Sequence, residues 1–480
     1  MPAPDPGSAP SRAPRPDRLE QLVLLHVGAM VVFTSWAFGG QAPWVRTVLA
    51  WGGTVGIGLF LAAVVRRWRQ GGPRSPALRY LLPLWGYDLL VGVSCLNPGF
   101  REALVGGEPS LVMINPVPWL PSAALPRLAL QELWQFNGIV LSTCNLLLAV
   151  QSRRRLRGLL LVLAGNAVVL AVLGTFQKLG QADGLWFGLV PSPQPRFFST
   201  FVYHNHWGAF TVLNTAVCLG LLLHYARRGD GRSLGQSPVL TGAVAVFLLA
   251  ASVPLSASRS STVLIGLLLA GAFVHVLVQV IRRRRRAGRP AALPAAAIVV
   301  TAAAALAAAA YLGQDVIAQR ARLTSAQLAE IAREDTLNSR LALYRDTWRM
   351  AAARPWFGWG LESYARVFRI FNTQRAAELW IWIPYYAEAH NDWLQSLAEV
   401  GFVGTGLLAL LVLWPVAAVR WRRVGSVVPR YLLAGGGLVL LYAWVEFPFA
   451  NPAVMLTFCA TFYGALRYAA LESRAAPDAS

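Results

Sequence analysis

Apolar residues along this chain arrive in unbroken blocks of roughly 20, the length that crosses a hydrocarbon core as a helix. They do not follow the one-sided spacing of a surface helix. Blocks near residues 20–38, 46–65, 78–96, 133–150, 158–178, 206–225, 238–255, 261–281, 292–312, 393–419, 431–447 and 453–470 predict about twelve membrane spans. The expected fold is therefore all-α, a polytopic transmembrane helical bundle. Between the ninth and tenth blocks a polar stretch, Gln314 to Asp392, predicts a large loop. Within it Leu337 to Met350 has helical apolar spacing, so the loop is expected to contain short helices.

Basic residues sharpen this register. Arg66, Arg67 and Arg69, then Arg153 to Arg155 with Arg157, Arg227 with Arg228, Arg282 to Arg286, and Arg420 with Arg422 and Arg423 each follow an apolar block. Starting with Arg12, Arg15 and Arg18 on the cytoplasmic side, twelve crossings bring every cluster back to that side and both termini with them. The chain then divides into a disordered cytoplasmic tail (1–18), N-terminal transmembrane helices (19–312), a large periplasmic loop (313–392), C-terminal transmembrane helices (393–471) and a second cytoplasmic tail (472–480). The first residues lack the short apolar core of a cleavable signal, so the first span is expected to act as an uncleaved anchor.

Composition agrees, with 56% hydrophobic and 14% charged residues, which excludes an ordinary soluble domain. The net charge of +21 sits in the clusters that mark topology, so it implies contact with anionic membrane lipids and no nucleic acid. The four cysteines, Cys95, Cys144, Cys218 and Cys459, are scattered and have neither disulfide nor zinc-site spacing.

Candidate chemistry gathers on the face opposite the basic clusters. Arg259, in Ser256-Ala257-Ser258-Arg259-Ser260-Ser261, lies at the tip of a tight hairpin. It reads either as a phosphate-binding guanidinium or as a snorkelling interfacial side chain. Arg196 and the run Phe198 to His206 close the preceding loop. His204 and His206 flank Asn205, a pattern that suits hydrogen bonding to a polar substrate or capping of a helix better than it suits a metal. His390-Asn391-Asp392-Trp393-Leu394, followed by Glu399, Gly401 and Gly404, marks the re-entry of the long loop into the membrane. A neutral His390 is suited to accept a proton from an attacking hydroxyl, and capping of the next helix is its other reading. Arg340 and Arg345 lie five positions apart on a predicted helix, pointing to different faces. Glu446, at the outer end of the eleventh block, either pairs with an outer arginine or faces water.

These residues carry a resemblance. Asn338-Ser339-Arg340, Trp348, Arg354-Pro355-Trp356-Phe357-Gly358-Trp359-Gly360, and His390-Asn391 with Leu394, Glu399, Gly401 and Gly404 are similar to the O-antigen ligase and O-antigen polymerase superfamily of bacterial membrane glycosyltransferases. Arg196 to Asn205 and the Ser258-Arg259 hairpin belong to the same resemblance, which covers about half the chain. Where that family often has Gly and Pro before the Asn, this chain has Tyr203 and His204.

The resemblance implies a GT-C-like enzyme of the bacterial inner membrane with a periplasmic active site. It would be a metal-independent, inverting glycosyltransferase without cofactor, moving a glycan from a polyprenyl (undecaprenyl) diphosphate to a lipid- or protein-linked acceptor, as in lipopolysaccharide and other cell-envelope polysaccharide synthesis. In that reading Arg259, Arg340 and His390 are catalytic. Arg196, His204, Asn205, Arg345, Asn391, Glu399 and Glu446 surround the substrate. A repeat-unit polymerase and a protein O-oligosaccharyltransferase fit the same residues. A solute or anion transporter is the alternative of another class; it would show discontinuous helices and charges near the midplane.

Overall fold

The computed structural model describes residues 17–69, 76–105, 108–227, 237–300, 303, 336–373 and 385–475. Residues 1–16, 70–75, 106–107, 228–236, 301–302, 304–335, 374–384 and 476–480, which include most of the expected N-terminal tail, the end of the expected ninth span and much of the expected long loop, lie outside the described residues. Among the described residues the named helices before the long loop are α1 (Arg18–Trp36), α2 (Pro43–Arg69), α3 (Pro76–Arg79), α4 (Leu82–Leu96), α5 (Pro126–Ala149), α6 (Arg153–Leu179), α7 (His204–Ala226), α8 (Pro238–Leu255) and α9 (Arg259–Arg286). Residues 292–300 are also helical. The loop contributes α10 (Thr336–Ala353) and α11 (Tyr364–Phe371), and the chain ends with α12 (Asp392–Ala417), α13 (Val428–Tyr442) and α14 (Pro452–Ala475).

Eight of these, α1, α2, α6, α7, α8, α9, α12 and α14, are long and apolar enough to cross a membrane, and α4 and α13 are shorter apolar helices. Their outward faces carry Leu25, Trp51, Leu89, Phe247, Val263 and Leu267 in exposed positions. Such a surface is at rest only against lipid, where each helix satisfies its own peptide groups. Inside, α7 and α14 form the centre of the bundle, with Trp207, Phe210, Val454 and Leu456 fully enclosed. The α2 and α5 backbones approach so closely that a Cβ on Gly53 would lie 2.8 Å from the Gly138 Cα. Small residues at a crossing are how helices pack in lipid, where burial of apolar area gives no advantage.

The bundle is all-α as expected, with two local features that the apolar blocks did not predict. Strands β1 (Phe100–Val105) and β2 (Glu108–Met113) pair antiparallel in the loop between α4 and α5, and Gly184–Leu185 pairs with Val190–Pro191 after α6. Both hairpins are too short to show as apolar blocks. In addition, α12 is not one continuous helix, because Gly401 within it has φ 65° and ψ −171°.

The break in α12 is filled by the loop motif. Phe402 and Val403 N–H donate to the carbonyls of Pro355 (2.8 Å) and Trp356 (3.1 Å), while Trp359 and Gly360 N–H donate to those of Ala398 (3.0 Å) and Glu399 (2.7 Å). Peptide groups freed at a break inside a membrane need such partners. A Cβ on Gly401 would come within 2.3 Å of the Trp356 carbonyl carbon, and one on Gly358 within 2.3 Å of that of Glu399. The Arg354 to Gly360 stretch is thus a clasp that fixes the long loop on α12, and the Arg354 guanidinium over the Trp359 ring (4.0 Å) braces it.

Candidate functional site

The start of α12 meets the turn after α13, and one carboxylate there gathers residues from several segments. Glu446 Oε1 accepts from Asn205 Nδ2 at 2.9 Å and lies 3.4 Å from Arg340 Nη2. Glu446 Oε2 accepts from the Tyr203 hydroxyl at 3.4 Å and lies 3.5 Å from His390 Nδ1. The carboxylate side chain is only 4% exposed, whereas Arg340 is 51% and His390 30% exposed. A buried anion therefore forms the floor under a guanidinium and an imidazole that face outward.

Local sequence explains how the parts are held. Asn391 caps α12 by accepting from Leu394 N–H at 2.9 Å, and Asp392 N–H donates to the carbonyls of Ala443 (2.9 Å) and Glu446 (3.3 Å). Asp392 Oδ2 in turn accepts from Phe449 N–H at 3.0 Å. These bonds fix the distance between His390 and Glu446. His390 takes a left-handed backbone with φ 52°, a region that few non-glycine residues occupy. Its carbonyl accepts from the Tyr344 hydroxyl at 2.9 Å, and its ring meets Phe447 edge-on at 4.7 Å. On the other side Phe447 stacks on Tyr203 at 5.4 Å.

Asn205 is the junction to the α8–α9 hairpin. Its Nδ2 donates to Glu446 and to the Tyr203 hydroxyl (2.8 Å), and its Oδ1 accepts from Ser258 Oγ at 2.7 Å. Ser258 precedes Arg259, which begins α9 and is exposed at the same end of the bundle. His204 ties the loop to itself, with Nδ1 3.2 Å from the Arg196 carbonyl, while the Arg196 side chain is exposed.

Two of the expected residues stand apart from this cluster. Arg345 is bound to Thr373 (3.1 Å) and lies 3.6 Å from Asp346. Glu399 accepts from Tyr364 N–H at 3.0 Å, at the start of α11, and so belongs to the clasp. Tyr203, Ser258 and Asp392 stand in the sequence motifs without an expected site role, and Tyr344 and Phe447 have none either. Tyr203 had a signal, since it stands where the resembling family often has a small or cyclic residue.

The electrostatics follow from this packing. Burial pushes the Glu446 carboxyl up, but His390, then Arg340 and His206, pull it down, and the net position is below the usual carboxylate range. Burial and then the Glu446 charge push the Tyr203 phenol far above its ordinary value, so it remains a donor. Among the described residues no group of three or more His, Cys, Asp or Glu is arranged to hold a metal ion. An ionised carboxylate, two outward cations and an imidazole whose other nitrogen is available can bind an anion and accept a proton.

Residues 244–409 match the O-antigen ligase family. Comparison with curated proteins gives no match. The O-antigen ligase region includes Arg259, Arg340, His390, Asn391 and the whole clasp. Asn205 and Glu446, which complete the cluster, lie on either side of it. A multi-pass membrane protein with an O-antigen ligase region thus closes that region's polar residues around a carboxylate contributed from outside it.

Proposed function

We propose that the chain is a metal-independent, inverting glycosyltransferase that moves a glycan from a polyprenyl diphosphate to a hydroxyl acceptor at the Glu446 cluster. The observation that carries this reading is the convergence of Arg340 and His390 on one buried carboxylate, with Arg259 at the same end of the bundle.

His390 Nδ1 faces Glu446, so the tautomer with Nδ1–H leaves Nε2 with a lone pair turned away from the carboxylate. The acceptor hydroxyl attacks the anomeric carbon while its proton passes to His390 Nε2. The bond from that carbon to the diphosphate oxygen breaks, and its electron pair leaves with the diphosphate. Attack from the face opposite the leaving group inverts the centre. Arg340 and Arg259 take up the charge that grows on the leaving phosphate, and fixed cations in a partly dehydrated cleft do so better than water. Glu446 stabilises the imidazolium as it forms. A ligase, a polymerase and an oligosaccharyltransferase share this step and differ in the acceptor.

The break in α12 does not favour a transporter, because the peptide groups it frees are bonded to residues 355–360 instead of lining a path. The test is transfer of a polyprenyl-diphosphate-linked glycan by His390→Ala compared with wild type at equal membrane abundance. A fall of about 10²-fold or more is expected from loss of a general base. Near-normal transfer by a well-inserted variant would show that His390 is a structural cap.

A further inference from the structure

Helix α7 begins at the candidate site with His204 and Asn205 and ends, 23 residues later, at a second cavity. At 1.5 Å per residue the two lie about 34 Å apart, close to the thickness of a hydrocarbon core. This second cavity has a volume of about 610 Å³. Arg153, Arg154 and Arg157 from the start of α6 and Arg227 from the end of α7 line it, and Glu472 is its one carboxylate among the described residues. Arg155, the remaining basic residue of that turn, is already paired with Glu20 at 2.5 Å.

Three features make this more than a row of interfacial arginines. First, four guanidinium groups line one hollow. Burial, and then Arg283 and Arg430 outside the cavity, lower the pKa of Arg227. Second, Glu20, the carboxylate at the start of α6, accepts from Gln151 N–H (3.0 Å) and Ser152 N–H (3.3 Å) and pairs with Arg155, so its bonds are spent away from Arg153, Arg154 and Arg157. Third, Glu472 Oε1 accepts from Ser426 N–H at 3.0 Å, whereas Oε2 is buried without a partner among the described residues. A buried carboxylate oxygen calls for a donor, and a hydroxyl supplies one.

We propose that this cavity binds a phosphate ester bearing a hydroxyl group, namely the phosphoglycerol headgroup of an anionic phospholipid. The arginines take the phosphate oxygens, for which the guanidinium fork is matched, and a glycerol hydroxyl donates to Glu472 Oε2. Its place at the ends of the spans is the depth at which headgroups lie. A seated lipid ties together α6, α7, the loop at Gly425 and the end of α14.

Arg157 and Arg227 also hold Tyr468 (2.9 Å) and the Gly425 carbonyl (3.3 Å), so the variants that test the proposal are at Arg153 and Arg154. The full chain in detergent is titrated with phosphatidylglycerol, phosphatidylcholine or phosphatidylethanol, and retained lipid is counted by native mass spectrometry. The expected result is one phosphatidylglycerol per chain, held at least tenfold more tightly than phosphatidylcholine. Phosphatidylethanol, with the same charge and no hydroxyl, should bind several-fold more weakly than phosphatidylglycerol. Arg153→Gln with Arg154→Gln should lose at least tenfold, and Arg153→Lys with Arg154→Lys should retain most binding, which separates charge from misfolding. Equal retention of phosphatidylglycerol and phosphatidylcholine, or unchanged retention by the glutamine pair, overturns the proposal. Displacement of the lipid by glycerol 3-phosphate at millimolar concentration overturns the lipid as ligand in favour of a soluble ester at the same phosphate site.

Discussion

His390 Nδ1 and Glu446 Oε2 stand 3.5 Å apart, brought together by Asp392, whose N–H donates to the Glu446 carbonyl and whose carboxylate accepts from Phe449 N–H. The separation is longer than a hydrogen bond, and His390 Nδ1 has no other partner among the described residues.

If Glu446 stabilises the His390 imidazolium, Glu446→Gln should lower turnover by about 10²-fold or more while leaving insertion intact, since an amide retains an acceptor for Asn205. The charge also matters for pH. The folded carboxyl lies below its ordinary value, so the ion pairs it makes are present at neutral pH and are lost as pH falls through the acid range. Wild type should therefore lose thermal midpoint on acidification more steeply than Glu446→Gln, and equal slopes would contradict the pairing.

Asn391 offers a separation of capping from substrate binding. Asn391→Asp keeps an oxygen for Leu394 N–H and should retain the thermal midpoint, whereas Asn391→Ala should cost about 1 kcal/mol through loss of the cap. Full activity in the aspartate variant assigns Asn391 to capping alone; activity lost at unchanged midpoint assigns it to substrate.

Gly401→Ala sets a Cβ against the Trp356 carbonyl and forces a left-handed φ on alanine. The clasp should open, with reduced abundance and faster protease cleavage in the long loop. Limited proteolysis measures this, and Gly406→Ala, where added atoms meet nothing, is the control.

Glu388 lies in the loop before α12, where burial pushes its carboxyl up to about 7 although Gln395 donates to it at 2.7 Å. The folded chain holds this proton over a range in which the unfolded chain has released it. Stability from this group is thus present below the ordinary carboxylate value and falls as pH rises toward about 7. Glu388→Gln should keep the bond to Gln395 and flatten the fall in thermal midpoint between pH 5 and pH 8, read in detergent at about one-unit steps.

Much of this was legible in the chain. Apolar blocks near residues 158–178 and 261–281 become α6 and α9, and the helical spacing of Leu337 to Met350 becomes α10. Arg66 beside Asp17, Arg67 on the Leu148 carbonyl and Arg227 on the Gly425 carbonyl show several basic ends meeting at one end of the bundle. Hydropathy could not show the break at Gly401, because its cause is the backbone of Trp356, distant in sequence. Nor could it choose a role for Glu446. The eleventh block read as continuing to residue 447, but α13 stops at Tyr442 and leaves Glu446 in the turn where His390 and Arg340 reach it. The Arg354 to Gly360 stretch carried part of the family resemblance, and in the fold it pairs the peptide groups left open at the break in α12.

The most direct test of the central claim is glycan transfer by the purified chain from a polyprenyl-diphosphate donor, in detergent with a chelator present, comparing wild type with Arg340→Ala, Arg340→Lys and Arg259→Ala. Transfer by wild type, a loss of about 10²-fold or more in both alanine variants and partial recovery with lysine is the predicted result, because the leaving diphosphate then lacks an oriented cation. Wild-type transfer that survives both alanine substitutions would contradict the account, as would a chain that forms no product with any acceptor yet moves a solute across proteoliposomes.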